Sequence, residues 1–270
     1  MLDRITYVSS NGNVIEFGNP EQHILINKNN FRDYSWSYSQ SYKRITNFSR
    51  NLVSKTLPVL IYGSNAKEIA DNIFEIIEND VLLGKYGTMR SGDFYIQGYF
   101  TASSKPKYTA DGFLSLNLTF VTDKPYWVRE TSYQYRPDNV EREGLGYPYN
   151  YPYDYLSSVS VQDIINPSFT EQNLRIIIYG ECVNPVIMID DVVYGVNVTI
   201  DENEYVTIDT AEKTITLTKE DGTTENVFNS RDREHYIFQK VPAGKHSISV
   251  LPATDVDLTI LEERSEPKWQ

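Results

Sequence analysis

The sequence has little cysteine and no long hydrophobic run. Cys182 is the only cysteine among 270 residues, so no disulfide can form within the chain, and a disulfide-stapled secreted scaffold is excluded. No run of about eighteen apolar residues occurs, so we expect no membrane-spanning helix. The N-terminus carries charge early and lacks the apolar core of a secretion signal, which predicts synthesis and folding in a reducing cytoplasm. We expect Cys182 to be a small buried residue in a strand.

Positive charge is also scarce. The chain has 25 Lys and Arg against 37 Asp and Glu, a net charge of −12. A nucleic-acid-binding protein carries a basic patch, so this balance argues against specific nucleic-acid binding. Residues 1–135 hold 14 basic and 13 acidic residues, whereas residues 136–270 hold 11 and 24. This asymmetry between the halves predicts two domains in different surroundings.

The patterns of common catalytic and metal sites are missing. The chain has three histidines, His23, His235 and His246. None has another histidine or a cysteine at the spacing of zinc ligands, and each is expected to be a surface or turn residue. No Walker loop, dinucleotide-binding glycine motif or G-x-S-x-G elbow occurs. The acidic segment 201–204 lacks the ligand spacing of a calcium loop and is interpreted as a solvated turn. We therefore predict no enzyme activity, no metal and no cofactor.

Residues 1–130 have the pattern of a β domain. Asn11-Gly12 lies between two short apolar alternations, which predicts a β-hairpin with a two-residue turn. Tyr34, Trp36 and Tyr38 alternate with serines, and this period of two predicts a strand with the aromatic rings on one face.

One helix is predicted at about residues 65–83. Asn65 followed by Glu68 has the spacing of a capping box, and isoleucines recur every four residues after it. Gly84 is placed to end the helix. We expect the apolar stripe to lie on a sheet and the acidic residues to form a solvated face.

Residues 131–170 differ from both flanks. They contain the stretch GYPYNYPYDY, in which Pro148 and Pro152 cannot donate to a sheet. We interpret this region as an extended, partly polyproline-like linker held by its aromatic rings. Four of its tyrosines alternate along one side of the chain: Tyr149, Tyr151, Tyr153 and Tyr155. The sequence leaves open whether these rings pack within the chain or on a neighbouring subunit.

Residues 171–270 resemble an all-β domain. Short apolar stretches alternate with turn signals, a spacing typical of a sandwich or barrel. The candidate strands are 174–179, 183–189, 194–200, 205–209, 214–218, 236–238, 247–251 and 258–261.

Three short motifs of this domain are similar to those of one family. The stretch from Gly180 to Ile187, with Asn184-Pro185 inside it, resembles the Gly-x-x-x-Asn-Pro-x-Ile stretch of the distal tail (Dit) proteins of siphophages that infect Gram-positive bacteria. Residues 209–216 resemble the family's next hairpin, and residues 241–244 its late turn. The order of hairpin, helix, Tyr/Pro stretch and sandwich is similar as well. The turn residues that carry the resemblance, expected to be structural, are Gly180, Asn184, Pro185, Pro242 and Gly244.

The resemblance implies a mainly β fold with one principal amphipathic helix. The N-terminal domain would be a β-sandwich-like ring domain with a helix and a hairpin, and the C-terminal domain a galectin-like β-sandwich. The protein would form a homo-hexameric hub at the phage tail tip, with the four alternating tyrosines as candidate subunit-interface residues. The hub would join the tail tube protein to the tail-associated lysin and the receptor-binding proteins, and DNA would pass through it without specific binding.

The main alternative is a carbohydrate-binding module that contributes to host-surface adhesion, and a third hypothesis is a wall-degrading enzyme that uses a pair of carboxylates. A galectin-like sandwich and 21 tyrosines suit sugar binding. However, the last domain has only Trp269, in its tail, as a tryptophan for stacking. His235 beside Arg233 is a poor substitute for the residues with which galectins bind sugar.

Overall fold

A computed structural model of the chain describes residues 4–26, 30–105, 112–137 and 162–268. The chain divides into two compact units, the first of residues 1–129 with 263–270 and the second of residues 130–262. The described residues form antiparallel strands and one α-helix, so the expected mainly β fold is confirmed.

The described residues of the first unit form ten strands and the helix. They are β1 (Ile5–Val8), β2 (Val14–Phe17), β3 (Ile24–Ile26), β4 (Ser37–Ser41), β5 (Arg44–Ser49), β6 (Val53–Tyr62), α1 (Ala66–Leu83), β7 (Gly87–Ser91), β8 (Phe94–Ser104), β9 (Phe113–Thr122) and β10 (Trp127–Tyr135), the last of which ends in the second unit. Strand β8 pairs with β7 through its first half and with β9 through its second half. It therefore links the group β2-β1-β7 to the group β9-β6-β3.

Helix α1 packs one face into the core of this unit. Ala66, Ala70, Ile73 and Ile77 are buried along it, at the three- and four-residue spacing of a single helical stripe. Asp80 continues the same stripe and is fully buried. The core beneath the helix is aromatic-rich: its largest buried rings are Tyr7, Phe17, Phe31, Phe120 and Trp127.

Of the two predicted helix ends, the C-terminal one is confirmed and the N-terminal one is not. Gly84 adopts the left-handed conformation with φ 62°, and its N–H donates to the carbonyl of Val81, so the C-terminal prediction is confirmed. Asn65 precedes the first helical residue, but its side chain makes no capping hydrogen bond. Its backbone, at φ −100° and ψ 16°, is outside the extended region from which a capping side chain reaches the first turn. The capping-box prediction is wrong.

Two local predictions in the first unit also need correction. The β1–β2 hairpin closes through the five residues 9–13 rather than through a two-residue turn, because Ser9 bonds both Gly12 and Asn13 through its backbone. The strand predicted from Tyr34, Trp36 and Tyr38 begins only at Ser37, so the first two rings precede it.

The described residues of the second unit form eleven strands. They are β11 (Gln162–Asn166), β12 (Asn173–Tyr179), β13 (Cys182–Val183), β14 (Val186–Ile189), β15 (Val192–Gly195), β16 (Thr199–Ile200), β17 (Tyr205–Asp209), β18 (Thr214–Thr218), β19 (Thr224–Asn226), β20 (Gly244–Leu251) and β21 (Val256–Arg264), which ends in the first unit. One sheet has the order β19-β18-β17-β12-β21, and a second has the order β11-β20-β14-β15. Alternate residues of both sheets bury their side chains in one core, so this unit is a β-sandwich.

Several strand predictions in this unit differ from the structure. The stretches 183–189 and 194–200 each split into two strands, and residues 236–238 form no strand. Asn184 explains the first split, because its left-handed backbone, with φ 50°, interrupts an extended chain. The segment interpreted as a linker holds strand residues at both ends, in β10 and β11. Cys182 is 6% exposed in β13 as expected, and burial raises the pKa of its thiol.

Candidate assembly surface

The four tyrosines predicted at the subunit interface lie outside the described residues. Tyr149, Tyr151, Tyr153 and Tyr155 fall within residues 138–161, so their role stays a prediction.

The first group of predicted turn residues connects β12 to β14. A Cβ on Gly180 would collide with the backbone oxygen of Asp201, so only glycine fits where these two backbone segments approach each other. Asn184 donates its N–H to the carbonyl of Val198 at 2.9 Å, and the carbonyl of Pro185 accepts from Val196. These contacts hold the β13–β16 pair beside the sandwich.

The second group surrounds a buried histidine. The carbonyl of Pro242 accepts from the amide of Asn166 at 2.9 Å and lies 2.9 Å from Nε2 of His246. Gly244, at φ 109°, starts β20 opposite Asn166. His246 is only 9% exposed, so its prediction as a surface or turn residue is wrong. It sits in a strand because its two ring nitrogens find oxygen partners there, in Pro242 and the carboxylate of Asp190.

Asp190 should contribute to the stability of the sandwich only above acidic pH. Its carboxylate lies 2.7 Å from Nδ1 of His246 and accepts from the N–H and hydroxyl of Ser247. The His246 contact, followed by the Ser247 backbone bond, lowers the pKa of Asp190 below its ordinary value of 3.8. A lowered folded-state pKa gives stability that is present above the unfolded pKa and is lost as pH falls through the folded one.

We therefore expect Asp190→Asn to lower the free energy of unfolding at pH 7 by about 1 kcal/mol, since the carboxylate is half-exposed and partly screened. The difference from wild type should shrink below pH 4. Urea unfolding at pH 7 and pH 3 measures it, with Asp191→Asn, one residue along the same turn, as the control. A difference that is equal at both pH values would contradict the assignment.

The described residues contain no candidate metal site. In the ranges that the structure describes, no group of three or more His, Cys, Asp or Glu side chains could hold a metal ion. No helix of the described chain is long and apolar enough to cross a membrane. Residues 201–204 form a turn between β16 and β17. His235 is engaged by the carboxylate of Asp232 at 2.6 Å, which does not favour its use in sugar binding.

An exposed hairpin is the most distinctive surface of the first unit. Strands β4 and β5 pair with each other as a separate two-stranded sheet, which we call the arm (residues 37–49). Every residue of the arm is exposed except Ser49, which is partly buried. An isolated two-stranded hairpin is marginally stable in water, so an arm of this kind gains from being covered.

The two faces of the arm differ in polarity. Tyr38 pairs with Phe48 and Gln40 with Ile45, so these four side chains share one face. A bulge between Ser39 and Gln40 shifts the register and places Ile45 on the same side as Phe48. The opposite face is polar and consists of Ser37, Ser39, Ser41, Arg44, Asn47 and Ser49. The apolar face is 56–61% exposed at its three hydrophobic residues.

Tyr42 forms the tip of the arm. It is 93% exposed and has a left-handed backbone with φ 56°. Two-residue hairpin turns favour Asn and Gly at such positions, because a larger residue there costs free energy. A tyrosine at this tip is therefore a candidate contact residue for a partner.

Arg50 anchors the root of the arm. Its guanidinium carbon lies 4.4 Å from the ring centre of Trp36, 4.8 Å from that of Tyr126 and 5.7 Å from that of Tyr34. The same group donates to the carbonyl of Pro125 at 2.6 Å and to the hydroxyl of Ser265. Tyr34 and Trp36, which the sequence pattern assigned to a strand, are thus stacking partners of the Arg50 guanidinium. The residues next to Arg50 in the sequence do not predict this stacking.

Sequence comparison finds no relative, whereas structural comparison does. No family model and no curated protein matches the chain. The distal tail protein (Dit) of phage SPP1, described as a hub of the adsorption apparatus of phages that infect Gram-positive bacteria, matches with a TM-score of 0.63 and 8% identity over 96% of this chain and 99% of that one. Chains of the phage P2 baseplate, in its activated conformation with calcium and with strontium, match with TM-scores of 0.62 and 0.61. Both share 15% identity over 99% of this chain and 100% of theirs. At these identities the comparison shows a shared fold.

Proposed function

We propose that this protein is a distal tail protein: a structural subunit that closes into a six-membered ring at the tip of a phage tail. The ring joins the tail tube protein to the tail-associated lysin and the receptor-binding proteins. It is a virion component made in the bacterial host cytoplasm, it encloses a path for DNA without reading its sequence, and it performs no catalysis.

The observation that carries the proposal is the extent of the fold match. The similarity to the hub protein of SPP1 covers 96% of this chain and 99% of that one, so it includes both compact units. A match confined to the sandwich would support only a β-sandwich module, because that architecture serves many functions. A match over both units supports the function of the whole hub.

The arm supplies a surface suited to ring closure. A ring needs a heterologous contact, in which one patch of each subunit meets a different patch of the next. The apolar face of Tyr38, Ile45 and Phe48 is exposed in the single chain. An interface patch whose partner subunit is absent is expected to be exposed in this way. The occupant we propose for this face is the first unit of a second copy of the chain.

The distribution of charge fits the same assembly. Residues 1–135 carry a net charge of +1, so copies of the first unit pack closely without strong mutual repulsion. Residues 136–270 carry a net charge of −13. Like charges repel, which favours separation of the sandwiches of neighbouring copies. We therefore propose that the sandwiches project from the ring as galectin-like domains.

Negative-stain microscopy and mass photometry of the purified full-length chain test the proposal. The expected result is six-fold rings in the images and a species of six times the monomer mass that grows with concentration. A chain that stays monomeric at tens of micromolar, alone and with its tail tube protein, would exclude the hub function. A chain that instead binds glycans on an array without forming rings would favour the carbohydrate-binding alternative.

A further inference from the structure

A cavity of about 320 Å³ opens beside the root of the arm. Its walls come from the segment before the arm, from the start of β6 and from the chain around Trp127, all within the first unit. The lining residues that matter here are Asp33, Arg50, Lys55, Thr56, Trp127 and Ser265.

The lining is rich in hydrogen-bond donors. Lys55 is 8% exposed, and its ammonium donates to the carbonyls of Phe31 at 2.7 Å and Asp33 at 2.5 Å, which leaves one N–H. Trp127 is 1% exposed, and in the described part of the chain its indole N–H has no hydrogen-bond partner. A buried donor without a partner costs free energy, so it is a position where a ligand atom gains.

Among the described residues, no carboxylate forms an ion pair with Arg50. Its Nε has no hydrogen-bond partner within the described residues, and the groups that raise the pKa of Arg50 against the effect of burial are Tyr126 and Tyr34, neither of which is a carboxylate. Burial lowers the pKa of Arg50, yet an arginine stays a cation. Lys55, by contrast, interacts electrostatically with the carboxylates of Asp33 and Glu266, which raise its pKa. A half-buried guanidinium whose partners are neutral rings, a carbonyl and a hydroxyl, with the Lys55 ammonium nearby, favours an incoming anion.

We infer that this cavity binds an oxyanion, a carboxylate or phosphate group, between the Arg50 guanidinium, the Lys55 ammonium and the Trp127 indole N–H. The Arg50 Nε is buried next to the Trp36 and Tyr126 rings, so a ligand reaches it only if these rings move. The inference does not depend on ring formation. The oxyanion comes either from free solute or from an acidic side chain of a neighbouring copy, and the chain has 37 such side chains.

Titration of the dilute, monomeric full-length chain with sodium phosphate and with sodium acetate tests the site, at an ionic strength held constant with sodium chloride. Tryptophan fluorescence and the thermal midpoint are the readouts, since Trp36 and Trp127 lie against Arg50 and the cavity. We expect a saturable change with a millimolar dissociation constant, weakened about tenfold in Arg50→Gln. The control is Arg44→Gln, an exposed arginine on the polar face of the arm.

Arg50→Lys keeps the charge and loses the planar fork, so an intermediate affinity is expected from it if Arg50→Gln does not fold. Burial lowers the pKa of Lys55 to about 8, while Asp33 and Glu266 oppose this shift and Arg50 adds to it. Binding of acetate, whose charge does not change over this range, should therefore weaken between pH 7 and pH 9. A wild-type response no different from chloride, or equal affinities in wild type and Arg50→Gln, would overturn the inference.

Repeating the titration at assembling concentrations separates the two sources. If phosphate dissociates the rings, the occupant is an acidic side chain of a neighbouring copy. If the rings persist while the anion binds, the occupant is a free solute. Saturable binding by a chain that forms no rings would support the oxyanion site and contradict the proposed hub function.

Discussion

Replacing Tyr38, Ile45 and Phe48 with serine should abolish ring formation and leave the thermal midpoint of the single chain almost unchanged. The three side chains share the apolar face of the arm and are exposed there, so they add little to folding. Aromatic residues at the centre of an interface each contribute about 2 kcal/mol or more when a partner covers them. Each subunit interface of a closed ring would lose the contribution of all three side chains. Mass photometry for assembly and differential scanning fluorimetry for folding measure the two effects separately.

The opposite face of the arm provides the matched control. Ser39→Thr with Asn47→Thr changes a cross-strand pair on the polar face and keeps the strand propensity high. This variant should assemble like wild type. The assignment of the arm fails if the two variants assemble equally, or if the serine variant loses its melting midpoint together with its rings.

The sequence predicts those elements whose signal is local. Helix α1 could be placed because four buried positions repeat at helical spacing, and Gly84 could be identified as its end because few other residues adopt that backbone easily. The strands of the sandwich could be found because burial alternates along them. Alternation is not sufficient, however. The serines and rings before Ser37 alternate without forming a strand, because no neighbouring strand pairs with them in the described structure.

The candidate site could not be predicted because its contacts join distant parts of the chain. Arg50 contacts the rings at positions 34, 36 and 126 and the hydroxyl at position 265. No short sequence pattern predicts contacts between residues so far apart in the chain. His246 shows the same limit, since its partner Asp190 is 56 residues away. The apolar face of the arm depends on the bulge beside Gln40, which moves Ile45 to the side of Phe48. Without that shift the period of two would separate these residues.

Asp80 illustrates a signal that the sequence did contain. It follows Ile77 by three residues and therefore continues the buried stripe of α1, although an acidic residue of this helix is expected on the solvated face. The structure resolves the conflict through three donors. The hydroxyl of Tyr7 donates to the carboxylate at 2.5 Å, and the N–H and hydroxyl of Ser10 donate at 2.9 and 2.6 Å. The first hairpin is thereby fixed to the end of the helix.

Replacing Asp80 with alanine should destabilise the first unit strongly. The hydroxyl of Tyr7, which is fully buried, and both donors of Ser10 would lose their acceptor, and a cavity would remain at the helix. Each buried donor left unpaired costs about 1–3 kcal/mol, and part of this cost is recovered by relaxation and by water. We expect the free energy of unfolding to fall by about 3–4 kcal/mol. Urea unfolding followed by far-ultraviolet circular dichroism measures the loss.

Asp71→Ala is the matched control, because Asp71 is an exposed acidic residue of the same helix. It should change stability by less than about 0.5 kcal/mol, as alanine is at least as good a helix former. Tyr7→Phe combined with Asp80→Ala then isolates the shared hydrogen bond, since the double variant should cost about 1 kcal/mol less than the sum of the single ones. If Asp80→Ala cost no more than Asp71→Ala, the carboxylate would not be what fixes the hairpin to the helix. The orientation of the hairpin would then have to come from the aromatic core alone, where Tyr7 meets Phe100 edge-on at 5.2 Å.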